Sequence, residues 1–141
     1  MAEKNYQALK DRIFIGGAED VKDMMEIEKA DIIYDLRAEA PESTSTYNRV
    51  HSPIVDETEQ QDESIMKAIS NVVDAYHDGK KVYFHCGGGS NRTGTVAIGT
   101  LLALGDAKSI DEAEEKAIAI RPKINVKPEM KDALKRIFPN S

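Results

Sequence analysis

Hydrophobic positions fall into two kinds of block along the 141 residues. Short β-rich runs dominate the first third. "RIFIGG" (12–17) and "DIIYDL" (31–36) read as strands, and "RVHSPIV" (49–55) reads as a third, shorter one. Between the first two, Val21, Met24, Met25 and Ile27 predict a helix over 19–29. From Ile65 the spacing becomes helical: Ile65, Ile69, Val72, Val73 and Tyr76 share a face, and Gly79 is placed to close that helix. "KVYFH" (81–85) has the composition of a buried parallel strand. "TGTVAIGTLLALG" (93–105) is apolar nearly all round, as a helix inside a core must be. "SIDE" (109–112) is a capping-box pattern opening a further helix that stops before Pro122. Pro128 suits the first position of a last helix carrying Met130, Leu134 and Ile137. Strands alternating with helices predict the α/β class, with a parallel-type central sheet flanked by helices.

Composition narrows this picture without changing it. The length fits one domain spanning 1–141, and 40% hydrophobic with 31% charged residues describes an ordinary globular chain. No apolar run has the length of a membrane span, and the polar start "MAEKNYQALK" lacks a signal-peptide core. A single cysteine forms no internal disulfide and suits a reducing compartment, so the expected location is cytoplasmic. A formal net charge of −6 disfavours nucleic acid as a partner. The stretch from Arg37 to Arg49, rich in Ser and Thr, reads as a surface loop.

The one cysteine sits in "HCGGGSNRTG", between the strand ending at His85 and the buried helix. Strand, glycine-rich loop and helix in that order aim a row of backbone N–H groups, and the positive end of a helix, at one point. Gly87, Gly88 and Gly89 carry no side chains to obstruct a curled loop, so the backbone can approach a phosphate closely. Such a nest binds a dianion, and it stabilises a thiolate over a thiol at Cys86. Arg92 adds a permanently charged planar fork that matches two phosphate oxygens. Nucleophile, anion cradle and transition-state clamp are thus assembled in one loop. A Walker A loop aligned on Thr93 needs Gly at 86, Gly at 91 and Lys at 92; Cys, Asn and Arg stand there, which excludes it.

"HCGGGSNRT" resembles the H-C-x-x-G-x-x-R-[ST] loop of the cysteine-dependent protein tyrosine phosphatases, closest to their small dual-specificity branch. For a given cysteine, chance gives the four fixed matches on the order of 1 time in 10⁵. "RIFIGG", "IIYDLR", "SPIVD" and the final helices fall in the family's order, so the resemblance covers residues 12–137. It implies a metal-independent phosphomonoester hydrolase with no cofactor, in which Cys86 forms a phosphocysteine intermediate and Arg92 binds the phosphate. Thr93 would hydrogen-bond the sulfur, and His85 would order the loop. Gly87, Gly88, Gly89, Ser90, Asn91 and Arg92 would contact the substrate phosphate. The family places a general acid about thirty residues before the cysteine, just after a strand; Asp56 fits, with Asp62 the second choice in "DETEQQDES". Expected partners are phosphorylated proteins or small phosphate esters, met by a monomer.

Further residues bear on the substrate. By resemblance Arg37 pairs with a carboxylate, and Tyr47 beside Arg49 could wall a phosphotyrosine ring. "RPKINVK" (121–127) carries three positive charges and no negative one, and the family's connection there lies near the phosphate loop. Arg121, Lys123 and Lys127 are therefore candidates for recognising further phosphates, against plain complementation of a helix C-terminus. Ala133 stands in the register where many relatives have a Gln that places the hydrolytic water. Alternative activities are an inositol-polyphosphate or phospholipid phosphatase and, disfavoured by the acidic balance, an RNA 5′-triphosphatase. A catalytically dead phosphate-binding module and a rhodanese-like sulfurtransferase fit less well, because Arg92, Thr93 and Asp56 are all present.

Overall fold

The computed structural model describes residues 6–17, 20–36, 49–51, 54, 58–86 and 90–139. Its strands are β1 (Gln7–Lys10), β2 (Ile13–Gly17), β3 (Ile32–Asp35), β4 (Arg49–His51) and β5 (Val82–Cys86). Its helices are α1 (Val21–Asp23), α2 (Thr58–His77), α3 (Asn91–Ala103), α4 (Ile110–Ile120) and α5 (Pro128–Ile137). The strands form one sheet in the order β1-β2-β5-β3-β4. β2, β5, β3 and β4 run parallel to their neighbours, and β1 is antiparallel to β2. The α/β class and the parallel-type sheet are as the sequence predicts. No helix among the described residues is long and apolar enough to cross a membrane.

β5 is central. All five of its residues are buried, as are all four of β3, which is why both read as continuous apolar runs rather than alternating ones. Alternation along β5 sends Val82, Phe84 and Cys86 into the main core and Tyr83 into a smaller cluster with Tyr6, Met24 and Ile33. α3 lies in the main core with nine buried residues from Thr93 to Leu101, and packs on α2 and α4. Contact with α2 is so close that a Cβ at Gly99 would overlap the Ile69 side chain.

Two features go beyond the sequence pattern. The polar start conceals β1, an edge strand joined to β2 by a tight turn at Asp11 and Arg12. Only Leu9 is buried in it, too few apolar positions to announce a strand. The helix over 19–29 is the second. α1 has three residues and passes into a π-helical turn, Met24–Glu28, closed by an i→i+5 bond from Lys29 N–H to Met24 O. Lys29 is left-handed at φ 55°, and Ala30 N–H then bonds Met24 O at 3.1 Å. The wider turn buries Met24 and leaves Ile27 57% exposed.

The helix ends follow their local chemistry. Gly79 ends α2 at φ 81°, with Lys80 N–H bonded to Ala75 O at 3.1 Å. Ser109 caps α4 by accepting the Glu112 N–H at 3.1 Å, while Glu112 reaches one residue further back than a capping box requires, to Lys108 N–H. One long-range pair ties α5 to α2: Arg136 Nε and Nη2 donate to the two Asp62 oxygens at 2.6 and 2.8 Å.

Gly99→Ala should lower stability by about 1–3 kcal/mol, because the stiff β-branched Ile69 cannot move aside without disturbing the core. A urea midpoint that rises instead, as helix propensity alone would dictate, would refute the close packing. The Asp62 pair predicts a pH effect. Arg136 holds the Asp62 carboxyl below its ordinary value of 3.8, so the folded state binds this proton less readily than the unfolded chain. The pair's contribution is present above that ordinary value and is lost as pH falls through the depressed one. Asp62→Asn should therefore be less stable than the parent at pH 7, with the gap closing in strong acid; a gap independent of pH would contradict this.

Candidate active site

β5 ends at Cys86 and α3 begins at Asn91, so four residues join a central strand to a buried helix. Ser90 is the N-cap residue of α3, half-buried and without a side-chain capping bond. Gly87, Gly88 and Gly89 lie outside the described residues, as do Asp56, Arg37 and Tyr47.

Cys86 is 6% exposed, on the main-core face of the sheet. The first turn of α3 brings the fully buried Thr93 back over the strand end. Its hydroxyl oxygen accepts the Cys86 backbone N–H at 3.0 Å, and the hydroxyl donates to Cys86 Sγ at 3.1 Å. With a lone pair occupied by the N–H, the one hydroxyl hydrogen is free to point at sulfur, where it stabilises negative charge. Thr93 thus serves the cysteine rather than the helix cap. Arg92, adjacent to it, is half-buried in the same turn.

His85 points away from the sulfur, as the residue before Cys86 on a strand must. It is 1% exposed, stacks on Tyr83 with ring centroids 5.6 Å apart, and lies with Nδ1 3.1 Å from Cys86 O. A carbonyl only accepts, so Nδ1 carries the proton in that contact. Its geometry is that of a residue ordering the strand end, not of a base beside the thiol.

Sequence reasoning missed the other support for this strand end. Gly17 is the register partner of Cys86. Its N–H donates to the buried Asp20 Oδ2 at 3.0 Å, and its carbonyl accepts the Tyr83 hydroxyl at 2.6 Å. Gly16 has no room for a side chain, since a Cβ would stand 2.5 Å from the Tyr83 hydroxyl. The visible signal was the Gly-Gly pair ending "RIFIGG", which strand propensity does not explain.

The 121–127 connection is seated against the start of α3. Ile124 and Val126 are buried, and a Cβ at Gly94 would stand 2.6 Å from Ile124 Cγ2 and 2.8 Å from Val126 Cγ2. Asn91 Oδ1 accepts the Lys127 backbone N–H at 2.9 Å. Arg121 does not join the exposed lysines: it is 2% exposed at the end of α4, and Nη1 donates to Gln7 Oε1 on β1 at 2.7 Å. Lys123 and Lys127 are exposed. Ala133 is fully buried in the core of α5 and offers no polar group for placing water.

Of the two candidate acids, Asp62 is among the described residues. Asp62 is committed to Arg136, which keeps it ionised, the opposite of what a proton donor needs. Asp56 lies outside the described residues, between Ile54 and the start of α2 in the sequence. Ile54 is buried and its N–H bonds Leu36 O at 3.1 Å, while Leu36 N–H bonds His85 O at 2.8 Å. Residue 54 is therefore two hydrogen bonds from the residue preceding Cys86, and α2 starts at Thr58.

A family model described as "Dual specificity phosphatase, catalytic domain" matches residues 13–138. No curated protein matches the chain. Among solved structures, Tk-PTP in its active form superposes with a TM-score of 0.79 at 24% identity, covering 99% of this chain and 100% of that one. Human DUSP28 gives 0.79 at 14% identity over 96% and 93% of the two chains. PTPMT1 in complex with PI(5)P gives 0.79 at 17% over 96% and 95%. At these identities the likeness establishes the fold. The family match covers most of the chain and includes the whole Cys86–Thr93 loop, so the chain belongs to the dual specificity phosphatase family of the cysteine-dependent protein tyrosine phosphatase superfamily.

Proposed function

We propose that this phosphatase is a metal-independent phosphomonoester hydrolase working through a phosphocysteine on Cys86, with phosphotyrosine and phosphoserine or phosphothreonine in proteins as substrates. One observation carries the reading: the Thr93 hydroxyl donates to Cys86 Sγ at 3.1 Å, an arrangement suited to a sulfur that bears charge. An inert buried thiol needs no such donor.

In this mechanism the loop amides and Arg92 hold the three non-bridging oxygens of the phosphate. The Cys86 thiolate attacks phosphorus opposite the leaving oxygen, so the P–S bond forms as the P–O ester bond breaks. Asp56 gives its proton to the departing alkoxide or phenoxide. Its carboxylate then takes a proton from water as the water oxygen attacks phosphorus. The P–S bond breaks, and the Thr93 hydrogen bond stabilises the departing thiolate. Arg92 supports both steps as a bidentate donor to the equatorial oxygens. His85 and Tyr83 hold the strand end without touching the reacting atoms.

Cys86→Ser should abolish turnover yet retain phosphate binding, and Arg92→Lys should cut kcat/KM by roughly 10²–10³, since a point charge cannot replace the fork. Hydrolysis surviving in purified Cys86→Ser would overturn the mechanism. Turnover should resist chelators and yield to vanadate. Activity needs a thiolate and a protonated acid together, so its pH profile should be bell-shaped, and Asp56→Asn should flatten the basic limb for poor leaving groups. If Asp62→Asn does so instead, the acid is misassigned. Thr93→Ala should slow breakdown of the phosphocysteine by roughly ten- to a hundredfold. That defect would appear as a burst of aryl alcohol from an aryl phosphate, restored to single-phase turnover by Thr93→Ser. An unchanged kcat would leave Thr93 a packing residue.

A further inference from the structure

α3 begins at Asn91, one residue before Arg92. An Asn at a helix start commonly turns its side chain onto the helix's own free N–H groups. Asn91 instead reaches across the fold: its Oδ1 accepts the Lys127 N–H at 2.9 Å, 36 residues on in the chain. Lys127 is the N-cap residue of α5, and its carbonyl accepts the N–H groups of Met130 and Lys131 at 3.0 and 3.1 Å. In a capping box the N-cap N–H is taken by a carboxylate or amide three residues further along. Here that position is Met130, whose side chain has no oxygen to offer. Asn91 supplies the acceptor from another helix.

The same connection grips α3 again just past Thr93. A Cβ at Gly94 would stand 2.6 and 2.8 Å from the Cγ2 atoms of Ile124 and Val126, so these two buried side chains lie directly on the helix backbone. Attachments at 91 and 94 thus bracket Arg92 and Thr93. Asn91 is also held by its carbonyl, which accepts the Thr95 hydroxyl at 2.9 Å. On the loop side the chain offers less: residues 87–89 are glycines without side chains, and Ser90 makes no side-chain capping bond. Thr93 has its own tie to Cys86 through its hydroxyl. Arg92 carries a long side chain that must bring a planar fork to phosphate within a fraction of an ångström, so its backbone has to be fixed from outside the loop.

We propose that Asn91 is a positioning residue of the phosphate site: by taking the Lys127 N–H, its side chain ties the first turn of α3 to the α4–α5 connection and so fixes where Arg92 presents its guanidinium. The inference rests on the reading of Arg92 as the phosphate clamp and adds a side chain that acts through it.

Asn91→Ala removes the acceptor. Lys127→Pro removes the donor at a φ of −71°, which proline adopts. Calorimetric binding of inorganic phosphate to Cys86→Ser reads the loop apart from turnover. Each of the two variants, placed in Cys86→Ser, should weaken that binding about tenfold, and both together no more than either alone. In the full chain with Cys86 intact, Asn91→Ala should lower kcat/KM for 4-nitrophenyl phosphate by about ten- to a hundredfold, measured well below its unfolding midpoint. In an Arg92→Lys background the same substitution should cost little more, because the group it positions has gone. A lowered midpoint with unchanged phosphate affinity and kcat/KM would make Asn91 a cap for α5 alone and overturn the proposal. A full loss persisting in the Arg92→Lys background would also overturn it, since the side chain would then act independently of Arg92. If Lys127→Pro does not fold, the Arg92→Lys comparison still decides. If the parent hydrolyses nothing while Cys86→Ser binds phosphate, the Cys86 mechanism fails and the binding comparison still decides Asn91. If Cys86→Ser binds no phosphate, both readings fall.

Discussion

The Thr93 hydroxyl joins the end of β5 to the start of α3, and the chemistry of the site depends on that junction. By accepting the Cys86 N–H at 3.0 Å and donating to Sγ at 3.1 Å, one side chain sets both the backbone and the sulfur of the cysteine. Two rigid elements stand behind it. β5 is the central strand, buried along its length, and α3 is buried in nine residues of its first eleven. Neither can shift without opening the core, so the sulfur is positioned by the most stable part of the molecule.

The opposite face of the sheet contributes to the same end. Asp20 and Tyr83 grip Gly17 by its N–H and its carbonyl, and Gly17 lies beside Cys86 in the register. Because strand residues alternate, a thiol directed into one layer is backed by an aromatic stack, Tyr83 on His85, in the other. The small Gly16 permits this, since any Cβ there meets the Tyr83 hydroxyl.

Charge is distributed by structural commitment more than by sequence. Asp62 and Asp56 belong to one acidic stretch, yet Asp62 is bound by Arg136 from α5 and cannot readily carry a proton. Arg121 and Lys127 belong to one basic stretch, yet Arg121 turns inward to Gln7 while Lys127 stays at the surface. Partners 74 and 114 residues away make those distinctions. Pairing across the fold, not position in the sequence, decides which of these charges is committed.

Features governed by neighbours within a few residues were legible in the chain. The strand, glycine loop and helix around Cys86, the Ser109 cap, the Gly79 terminus and the Pro128 start all follow from local hydrophobic period and backbone chemistry. The phosphatase loop was legible too, because its groups are contiguous. β1 was not, since its one buried side chain, Leu9, acquires meaning only once β2 stands beside it. Nor was the π-helical turn, where burial of Met24 and a left-handed Lys29 outweigh helical periodicity. Thr93 on sulfur was implied by the family resemblance, but Tyr83 on Gly17 and Asn91 on Lys127 needed the tertiary structure. Every one joins groups whose separation is set by sheet order and helix packing, and those distances are decided by the whole core rather than by any local run of residues.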